Sequence, residues 1–188
     1  MSPPIRRYPD FMSSTVADAW FERLQIRDWR GYQIKMFGRM VDEPRLIDWC
    51  GEHAYVYSRR VLEPRAVEPD LRGLMRQVSE QVGVEFNHCL MNYYRDGQDS
   101  MGWHCDDEPE LGPDPVIASV SLGAERDFQF RVMTGEKRPS QTIRLKHGEL
   151  LVMEAGCQAA WQHQLPKRAH SAPRINLTFR RVFSTSSD

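Results

Sequence analysis

The heptapeptide RINLTFR, residues 174–180, alternates strictly between polar and apolar side chains. Because a β-strand sends alternate side chains to opposite faces, the segment is predicted to be a strand with one apolar and one polar face. The polar face carries Arg174, Asn176, Thr178 and Arg180, which include two guanidinium groups and no acid. Two explanations stay open at this point: exposure to solvent, the commoner one for an isolated heptapeptide, or binding of a small ligand with two carboxylates.

The chain around this segment has the composition of one globular domain. It has 188 residues, of which 40% are hydrophobic and 27% charged, which is enough to build a good core. The net charge of −1 lacks the basic surplus that is usual for proteins that hold duplex nucleic acid by its phosphates. A nucleic-acid role would therefore depend on local basic clusters such as Lys167-Arg168.

Targeting and redox signals are also informative. No run approaches the ~20 apolar residues that cross a bilayer, and the N-terminal MSPPIRRYPD lacks the apolar segment of a signal peptide. The four cysteines are widely spread without a CxxC pair, which argues against a zinc site and a disulfide framework. We expect a cytoplasmic protein, or a nuclear one if the source is eukaryotic, without membrane association.

The order of the predicted elements indicates an α+β fold. Helices are expected over residues 15–29, begun by a Thr15–Asp18 capping box, and over residues 69–82, ended by Gly83. Short β-segments follow at 88–94, 116–122, 126–133, 141–146, 149–154 and 174–183. Helices followed by many strands predict a barrel or sandwich core. We expect one domain over residues 1–188, with an N-terminal part (1–86) and a β-rich core (87–183).

The β-rich part contains GWHCDDEPELG, residues 102–112. In extended backbone His104 and Asp106, at i and i+2, point the same way. With a second, distant histidine they would form a facial triad that leaves iron positions open for substrate and oxygen. HxD alone is weak, because such tripeptides arise by chance and a loop histidine beside a turn aspartate is the simpler explanation.

Three downstream histidines are candidates for the third ligand. His147 precedes Gly148 at a predicted turn, and His170 lies in a polar loop beside Lys167 and Arg168. His163 follows apolar residues in AAWQHQLP, which would bring it into a barrel. We select His163.

An iron site with open positions needs an electron source, and 2-oxoglutarate is the commonest one for HxD…H sites. Its two carboxylates suit arginine, whose fork binds carboxylates bidentately. Arg174 and Arg180 are six residues apart, about 20 Å along a strand, so they cannot both hold one end of the molecule. One is expected to bind the remote carboxylate and the other to act near the iron.

Four ordered motifs resemble the AlkB family of iron- and 2-oxoglutarate-dependent dioxygenases: NYYRDGQDSMGWHCDDEPELG (92–112), VIASVSLGAERDFQFR (116–131), WQHQLPK (161–167) and PRINLTFR (173–180). The similarity runs from about Phe37 to Val182, and it is greatest to the eukaryotic AlkB homologue that prefers single strands. The resemblance implies a double-stranded β-helix (jelly-roll) core with flanking helices and a nucleotide-recognition lid.

The resemblance also implies roles for individual residues. It assigns Fe(II) to His104, Asp106 and His163, which are also the catalytic residues. It assigns 2-oxoglutarate to five residues, with Arg174 at the remote carboxylate, Arg180 near the iron and Asn176 between them, and with Asn92 and Tyr94 of the NxY motif as hydrogen-bond partners.

The substrate base would be framed by the lid and an acidic pair. PRLIDWCGEHAYVYSR, residues 44–59, resembles the lid segment, so Tyr55 and Tyr57 become candidates for stacking, although at i and i+2 they also suit one face of a core strand. Asp107 and Glu108 lie where the family places an acid that faces the exocyclic nitrogen of the base. The alternative is that both side chains are simply exposed to solvent.

A second part of the predicted base site is the hairpin KMFG, residues 35–38. It lies where a duplex-acting relative has an apolar finger, which makes Met36 and Phe37 candidates for contact with the substrate. The sequence departs from the family at Met36 and Trp103, and the preference between single and double strands stays open.

The implied reaction is oxidative demethylation of 1-methyladenine and 3-methylcytosine by Fe(II), 2-oxoglutarate and O2, with release of formaldehyde. The expected partner of this monomer is methylated single-stranded or duplex DNA, with RNA as a further candidate. Two alternatives are a 2-oxoglutarate-dependent oxygenase acting on a protein or lipid, against which the acidic pair and aromatic lid argue, and a catalytically silent jelly-roll binding module, against which the complete ligand set argues.

Overall fold

The structure, a computed structural model, describes residues 2–36, 38–57, 60–134 and 139–184, without the side chains of residues 35 and 36. Its strands in these ranges are β1 (Ile5–Tyr8), β2 (Gln33–Met36), β3 (Arg39–Asp42), β4 (Leu46–Gly51), β5 (Tyr55–Tyr57), β6 (Arg60–Leu62), β7 (His88–Tyr94), β8 (Met101–His104), β9 (Ile117–Gly123), β10 (Arg126–Val132), β11 (Gln141–Leu145), β12 (Leu150–Met153), β13 (Trp161–Leu165) and β14 (Arg174–Arg180). The helices are α1 (Ser14–Gln25), α2 (Pro69–Val82) and α3 (Cys157–Ala160), with a 3-10 turn at Pro109–Leu111. In the described ranges, no helix combines the length and the apolar character needed to span a membrane.

Two antiparallel sheets form the core. The larger has the order β1-β12-β9-β14-β7-β4, and the smaller has the order β11-β10-β13-β8. One apolar cluster joins side chains of both sheets, such as Leu90 and Ile117 of the larger with Phe130 and Trp161 of the smaller. Burial of these side chains holds the sheets face to face. This arrangement is a jelly roll with flanking helices, and it confirms the predicted α+β fold.

The helices cover the other face of the larger sheet. Leu24 of α1 and Leu74 of α2 belong to one cluster with Ile175, Leu177 and Phe179 of β14. The larger sheet is therefore covered on both faces, by helices on one side and by the smaller sheet on the other.

The strand β14 lies at the centre of this arrangement. It pairs with β7 on one side and β9 on the other, and all seven of its residues are buried. Its polar face points away from the helix-side cluster, towards the smaller sheet. The solvent-exposed explanation of that face is wrong, because a second sheet covers it.

The two predicted helices have different outcomes. For α2 the bounds, the buried apolar stripe and the left-handed Gly83 at its end are as predicted. For α1 the capping box is wrong: the N-cap is Ser13, whose side chain accepts a hydrogen bond from the Val16 amide, and the helix ends at Gln25. Thr15 lies inside the first turn, because the serine two residues earlier already satisfies an amide there.

The N-terminal part also contributes to the jelly roll. β1 and β4 are the edge strands of the larger sheet, and two hairpins, β2–β3 and β5–β6, form separate small sheets. We call these two hairpins the lid. Of the segment 44–59 that was predicted as the lid, Leu46–Gly51 is instead the edge strand β4, and only Tyr55–Tyr57 belongs to a hairpin. The single domain and its division at residue 86 stay predictions. Phe37 lies outside the described residues, as does the side chain of Met36.

Candidate active site

Strand pairing brings the three predicted metal ligands together. His104 ends β8 and is the direct cross-strand partner of His163 on β13, while Asp106 follows two residues after His104. Their ligand atoms all lie within 4.8 Å of one another, and Nε2 of His104 is 3.9 Å from Oδ1 of Asp106. This is a cluster of the size and donor type that holds one divalent metal ion.

The other two histidines lie elsewhere. His147 accepts a hydrogen bond from the Gly123 amide at Nδ1, 2.8 Å away, and its Nε2 is 3.1 Å from Asp18. His170 is exposed in the loop before β14. Neither belongs to the cluster that the structure describes.

The charge states of the cluster suit a metal. Burial would raise the pKa of Asp106, but Arg180 and then the two histidines outweigh it and lower the pKa to about 2. Burial, and then His104, lowers the pKa of His163 to about 3, and burial also lowers the pKa of His104. At neutral pH the site therefore presents one carboxylate and two neutral imidazoles, the protonation states that metal binding needs.

Hydrogen bonding also selects the free nitrogen of His104. Its Nδ1 lies 2.8 Å from the Gly102 carbonyl oxygen, which can only accept, so Nδ1 carries the hydrogen and Nε2 holds the free lone pair. In metal sites a histidine is oriented in this way by its second nitrogen.

Arg180 is not unpaired. Its Nη2 lies 2.9 Å from Oδ1 of Asp106, and both side chains are almost fully buried. The acid that the strand sequence lacks is supplied by the loop after β8. Nε and Nη1 of Arg180 remain buried without a hydrogen-bond partner in the described part of the chain.

Arg174 has a different environment. Its Nη2 donates to Oγ of Ser121 at 2.8 Å and to Oδ1 of Asn176 at 3.0 Å, and the residue is 1% exposed. Its Nε has no partner, and no acid of the described ranges forms an ion pair with it. Burial lowers the pKa of this guanidinium to about 10. A buried cation without a counter-charge is costly, and a ligand carboxylate would supply that charge.

The remaining predicted cosubstrate residues flank these arginines. Asn92 and Tyr94 of β7 are the cross-strand partners of Asn176 and Arg174. Asn176 accepts from Ser119 Oγ at 2.8 Å and donates to Thr178 Oγ1 at 2.7 Å. Its amide therefore orients Arg174, and its own donor is directed along β14.

One cavity between the sheets collects these side chains. Nine predicted residues line it: Tyr57, Asn92, Tyr94, His104, Asp106, His163, Arg174, Asn176 and Arg180. Four apolar side chains and two hydroxyls complete the lining. Phe128 is one of the apolar ones, and its ring stacks on His163 with centroids 5.3 Å apart. The cavity thus combines the metal cluster with cationic and amide donors.

The two lid tyrosines are placed differently. Tyr57 is also buried, at 4% exposure, with the guanidinium of Arg45 5.9 Å from its ring centroid, but it lines the cavity. Tyr55 is fully buried between His88, whose ring centroid is 5.0 Å away, and the guanidinium of Arg180 at 5.6 Å. Tyr55 therefore offers no free ring face here, which fits the alternative of a core strand residue. Tyr57 stays the candidate for base stacking.

The acidic pair after the HxD motif is also split. Asp107 is exposed and Glu108 is half-buried. Burial, and then the charge of Asp106, raises the pKa of Glu108. Glu108 is thus the member of the pair that would gain most from a cationic neighbour.

The sequence analysis missed three contributors to this site, Ser119, Ser121 and Arg45. Ser119 and Ser121 lie at i and i+2 on the otherwise apolar β9, and this repeated hydroxyl was a usable signal for a polar cavity face. Arg45, before β4, contacts both Asn92 and Tyr57. A single arginine in EPRLID gave no signal, because its partners come from distant segments.

The fold and this donor set define a class of oxygenase. The chain belongs to the 2OG-Fe(II) oxygenase superfamily, whose family model matches residues 4–180. The name of the superfamily implies Fe(II), 2-oxoglutarate and O2, and the His-Asp-His cluster is the candidate metal site.

Two relatives show which members of the superfamily the chain resembles. The chain is 46% identical over 127 residues to "Alpha-ketoglutarate-dependent dioxygenase alkB homolog 3" of Homo sapiens, covering 61% of this chain and 43% of the relative. It is 45% identical over 124 residues to "DNA oxidative demethylase ALKBH2" of Homo sapiens, covering 62% and 48%. The chain thus spans less than half the length of these relatives. The expected resemblance to the AlkB family is confirmed.

A solved structure supports the fold. The protein of "The structure of OsALKBH1" superposes with a TM-score of 0.68, covering 96% of this chain and 98% of that one at 16% identity. At this identity the likeness shows the jelly-roll fold alone.

Proposed function

We propose that this protein is an Fe(II)- and 2-oxoglutarate-dependent dioxygenase that demethylates 1-methyladenine and 3-methylcytosine in nucleic acid. The observation that carries the proposal is Arg174, a buried guanidinium without an acidic partner in the described chain, in the same cavity as the His-Asp-His cluster. An iron site that faces an unneutralised arginine across one cavity is what a dicarboxylate cosubstrate requires.

His104, Asp106 and His163 would hold the metal. With three protein ligands, the metal would keep coordination positions open for 2-oxoglutarate and O2. When bound, the metal would couple decarboxylation of 2-oxoglutarate by O2 to hydroxylation of the N-methyl carbon, after which the carbon leaves as formaldehyde and succinate and CO2 remain. Arg180 would keep Asp106 ionised and oriented through their 2.9 Å contact.

Arg174 would bind the remote carboxylate of 2-oxoglutarate. Tyr94, whose ring centroid lies 5.5 Å from the Arg174 guanidinium, and Asn92 would complete the pocket from the neighbouring strand. Asn176 would hold the guanidinium in place through its 3.0 Å hydrogen bond.

The base would enter from the side of the lid. Both proposed bases are cationic at neutral pH, so stacking on Tyr57 gains a cation–π contribution, and Glu108 adds attraction. Their methyl group blocks base pairing, which lowers the cost of extracting the base from a helix. The contacts of Met36 and Phe37 with the substrate stay a prediction.

The proposed macromolecular substrate is single-stranded DNA, with duplex DNA and RNA as further candidates. The net charge of −1 supports a preference for strands that need no wide basic surface. We propose that the protein acts as a monomer and that it works in the cytoplasm, or in the nucleus of a eukaryote.

The test measures succinate and formaldehyde together. Single-stranded DNA, duplex DNA and RNA oligonucleotides with one 1-methyladenine or 3-methylcytosine are incubated with protein, Fe(II), 2-oxoglutarate and O2. We expect both products in equal amounts, greatest on single-stranded DNA, and neither with Asp106→Ala. Succinate without formaldehyde on all nucleic acids would favour an oxygenase of another substrate, such as a protein or lipid. Absence of succinate would favour a silent binding module.

A further inference from the structure

Arg45 lies behind the wall of the cavity rather than in it. It is in the connection from β3 to β4 and is 5% exposed. Its Nε donates to Oδ1 of Asn92 at 3.2 Å, and its Nη2 donates to the hydroxyl of Tyr57 at 3.0 Å. Both partners line the cavity, one from the core strand β7 and the other from the lid.

A second charged layer holds Arg45 in place. Its Nη2 lies 3.2 Å from Oε2 of Glu43, which is also buried. The other carboxylate oxygen of Glu43 is 2.9 Å from Nη1 of Arg60. This pairing compensates the buried charge of Arg45 and limits the directions in which its fork can point.

The guanidinium of Arg45 determines which hydrogen-bonding atoms of Asn92 and Tyr57 remain free on the cavity side. Arginine has donors only, whereas an asparagine amide and a phenol can each donate or accept. Because Oδ1 of Asn92 accepts from Arg45, the Nδ2 donor is the free edge of the amide, and within the described ranges Nδ2 donates no hydrogen bond. Because the Tyr57 oxygen accepts from Arg45, its hydrogen is free to be donated elsewhere.

We propose that Arg45 is a positioning residue that makes Asn92 and Tyr57 hydrogen-bond donors towards the cavity and so matches it to a ligand rich in oxygen acceptors. The inference rests on the proposed function for the identity of that ligand, 2-oxoglutarate. Without Arg45 the amide of Asn92 is free to turn its carbonyl oxygen towards the ligand carboxylate, which repels it. Arg45 also joins the lid to the cosubstrate strand through one side chain.

The experiment measures 2-oxoglutarate binding directly. Protein loaded with Mn(II) without oxygen is titrated with 2-oxoglutarate by calorimetry, for wild type, Arg45→Gln and Arg45→Lys. We expect Arg45→Gln to raise the Kd about tenfold, the size of one lost hydrogen bond to a charged group. Arg45→Lys should recover part of this loss, because lysine is also a pure donor but cannot reach both partners.

The matched control is Arg27→Gln. It removes a part-buried arginine, which pairs with Asp48 at 2.7 Å rather than with Glu43 or Asn92, so it should lower the Tm but keep the Kd of 2-oxoglutarate at the wild-type value. A second readout is the side-chain amide signal of Asn92 in ¹H–¹⁵N spectra, which should shift in the Arg45 variants and not in Arg27→Gln. If Arg45→Gln does not fold, the Kd of 2-oxoglutarate and the Asn92 amide signal are measured on Arg45→Lys instead, and an unchanged Kd and signal in that variant would contradict the inference.

A double-mutant comparison identifies the route of the effect. If Arg45 acts through Asn92, the loss caused by Arg45→Gln should shrink in an Asn92→Ala background. The inference would be overturned if the double variant raised the Kd by the full product of the two single-variant increases. A wild-type Kd in Arg45→Gln would overturn it as well. A wild-type protein that does not bind 2-oxoglutarate would instead remove the proposed function, so the two failures are distinguishable.

Discussion

Arg174 and Arg180 share one face of β14 but differ in what neutralises their charge. Arg180 is 2.9 Å from Asp106, whereas Arg174 ends on a hydroxyl and an amide. A buried cation without a counter-charge costs several kcal/mol even after relaxation. Arg174 is therefore the residue whose free energy improves most when a carboxylate enters the cavity.

Replacing Arg174 should expose this dependence. Arg174→Ala should raise the 2-oxoglutarate requirement of succinate formation by about 10²–10⁴-fold, corresponding to roughly 3–5 kcal/mol for breaking a buried pair. Arg174→Lys should recover only part, because a point charge cannot reproduce the fork. The exposed Arg181, directly after β14, provides the control Arg181→Ala. Unchanged cosubstrate dependence in Arg174→Ala would remove the dicarboxylate explanation.

The third metal ligand can be tested against an exposed histidine. His163→Ala should abolish turnover and Mn(II) binding, because it removes one of three ligand atoms within 4.8 Å. His170→Ala should leave most activity, because His170 is exposed outside the cluster. Activity and metal content measured on both variants check this. Retained activity in His163→Ala with loss in His170→Ala would show that His163 is not the third metal ligand.

Variants of the acidic pair, Asp107 and Glu108, can test recognition of the base separately from decarboxylation of 2-oxoglutarate. Glu108→Ala should slow formaldehyde release from 3-methylcytosine by about tenfold, the size of one hydrogen bond to a charged group, while decarboxylation of 2-oxoglutarate without nucleic acid stays unchanged. Asp107→Ala, at the exposed neighbour, should have the smaller effect. A parallel fall of both rates would instead show that Glu108 supports the metal site or the fold.

At the scale of elements, a helix or strand was predicted correctly where its own segment contains the periodicity and end residues that define it. The apolar stripe and terminal glycine of α2, and the alternation of β14, predicted both elements. The capping box of α1 was wrong because three consecutive hydroxyl residues, Ser13, Ser14 and Thr15, can each supply the N-cap. Pairing between distant strands carries no local signal, so neither the acid opposite Arg180 nor Arg45 behind Asn92 could be derived from spacing. The triad was predictable because HxD is local and few histidines follow it.

The contact between β4 and β7 gives a prediction about packing of elements. Gly51 is the cross-strand partner of His88, and a Cβ at Gly51 would lie 2.4 Å from Cδ2 of the His88 ring. Gly51→Ala should therefore lower the free energy of unfolding by roughly 1–3 kcal/mol through overpacking. His88→Ala in the same chain should relieve part of the loss.

A matched glycine controls for the substitution itself. Gly73 lies in α2 with nothing within 4 Å of its Cβ position, so Gly73→Ala should stabilise the helix by about 0.5–1 kcal/mol. Urea unfolding of the three variants measures these changes. A neutral Gly51→Ala would show that the two strands separate more easily than their close contact indicates.

At the scale of the whole molecule, the fold keeps several imidazoles neutral inside a sandwich whose larger sheet is covered on both faces. His88 is 1% exposed, and neither ring nitrogen has a hydrogen-bond partner in the described chain. Burial, and then the charge of Arg180, lowers the pKa of His88 to about 3. The same direction holds for His163, with a pKa of about 3 in the metal-free protein. The stability of the entire fold is therefore linked to pH through groups that stay unprotonated until the chain opens.

The sign of this linkage follows from proton uptake. An unfolded histidine titrates near pH 6.5, so between pH 6.5 and about 3 the unfolded chain binds a proton at His88 that the folded chain does not. Stability from this residue is thus complete above pH 6.5 and is lost as the pH falls. Between pH 6.5 and 5 the loss is about 1.5 kcal/mol for one such group. His88→Leu, which keeps the volume and loses no hydrogen bond, should flatten the pH dependence by this amount, whereas the exposed His170→Leu should not. Urea unfolding of the metal-free proteins at pH 5, 6 and 7 measures the slopes. Equal slopes for wild type and His88→Leu would mean that His88 already binds its proton in the folded chain, and its neutral burial would have to be abandoned.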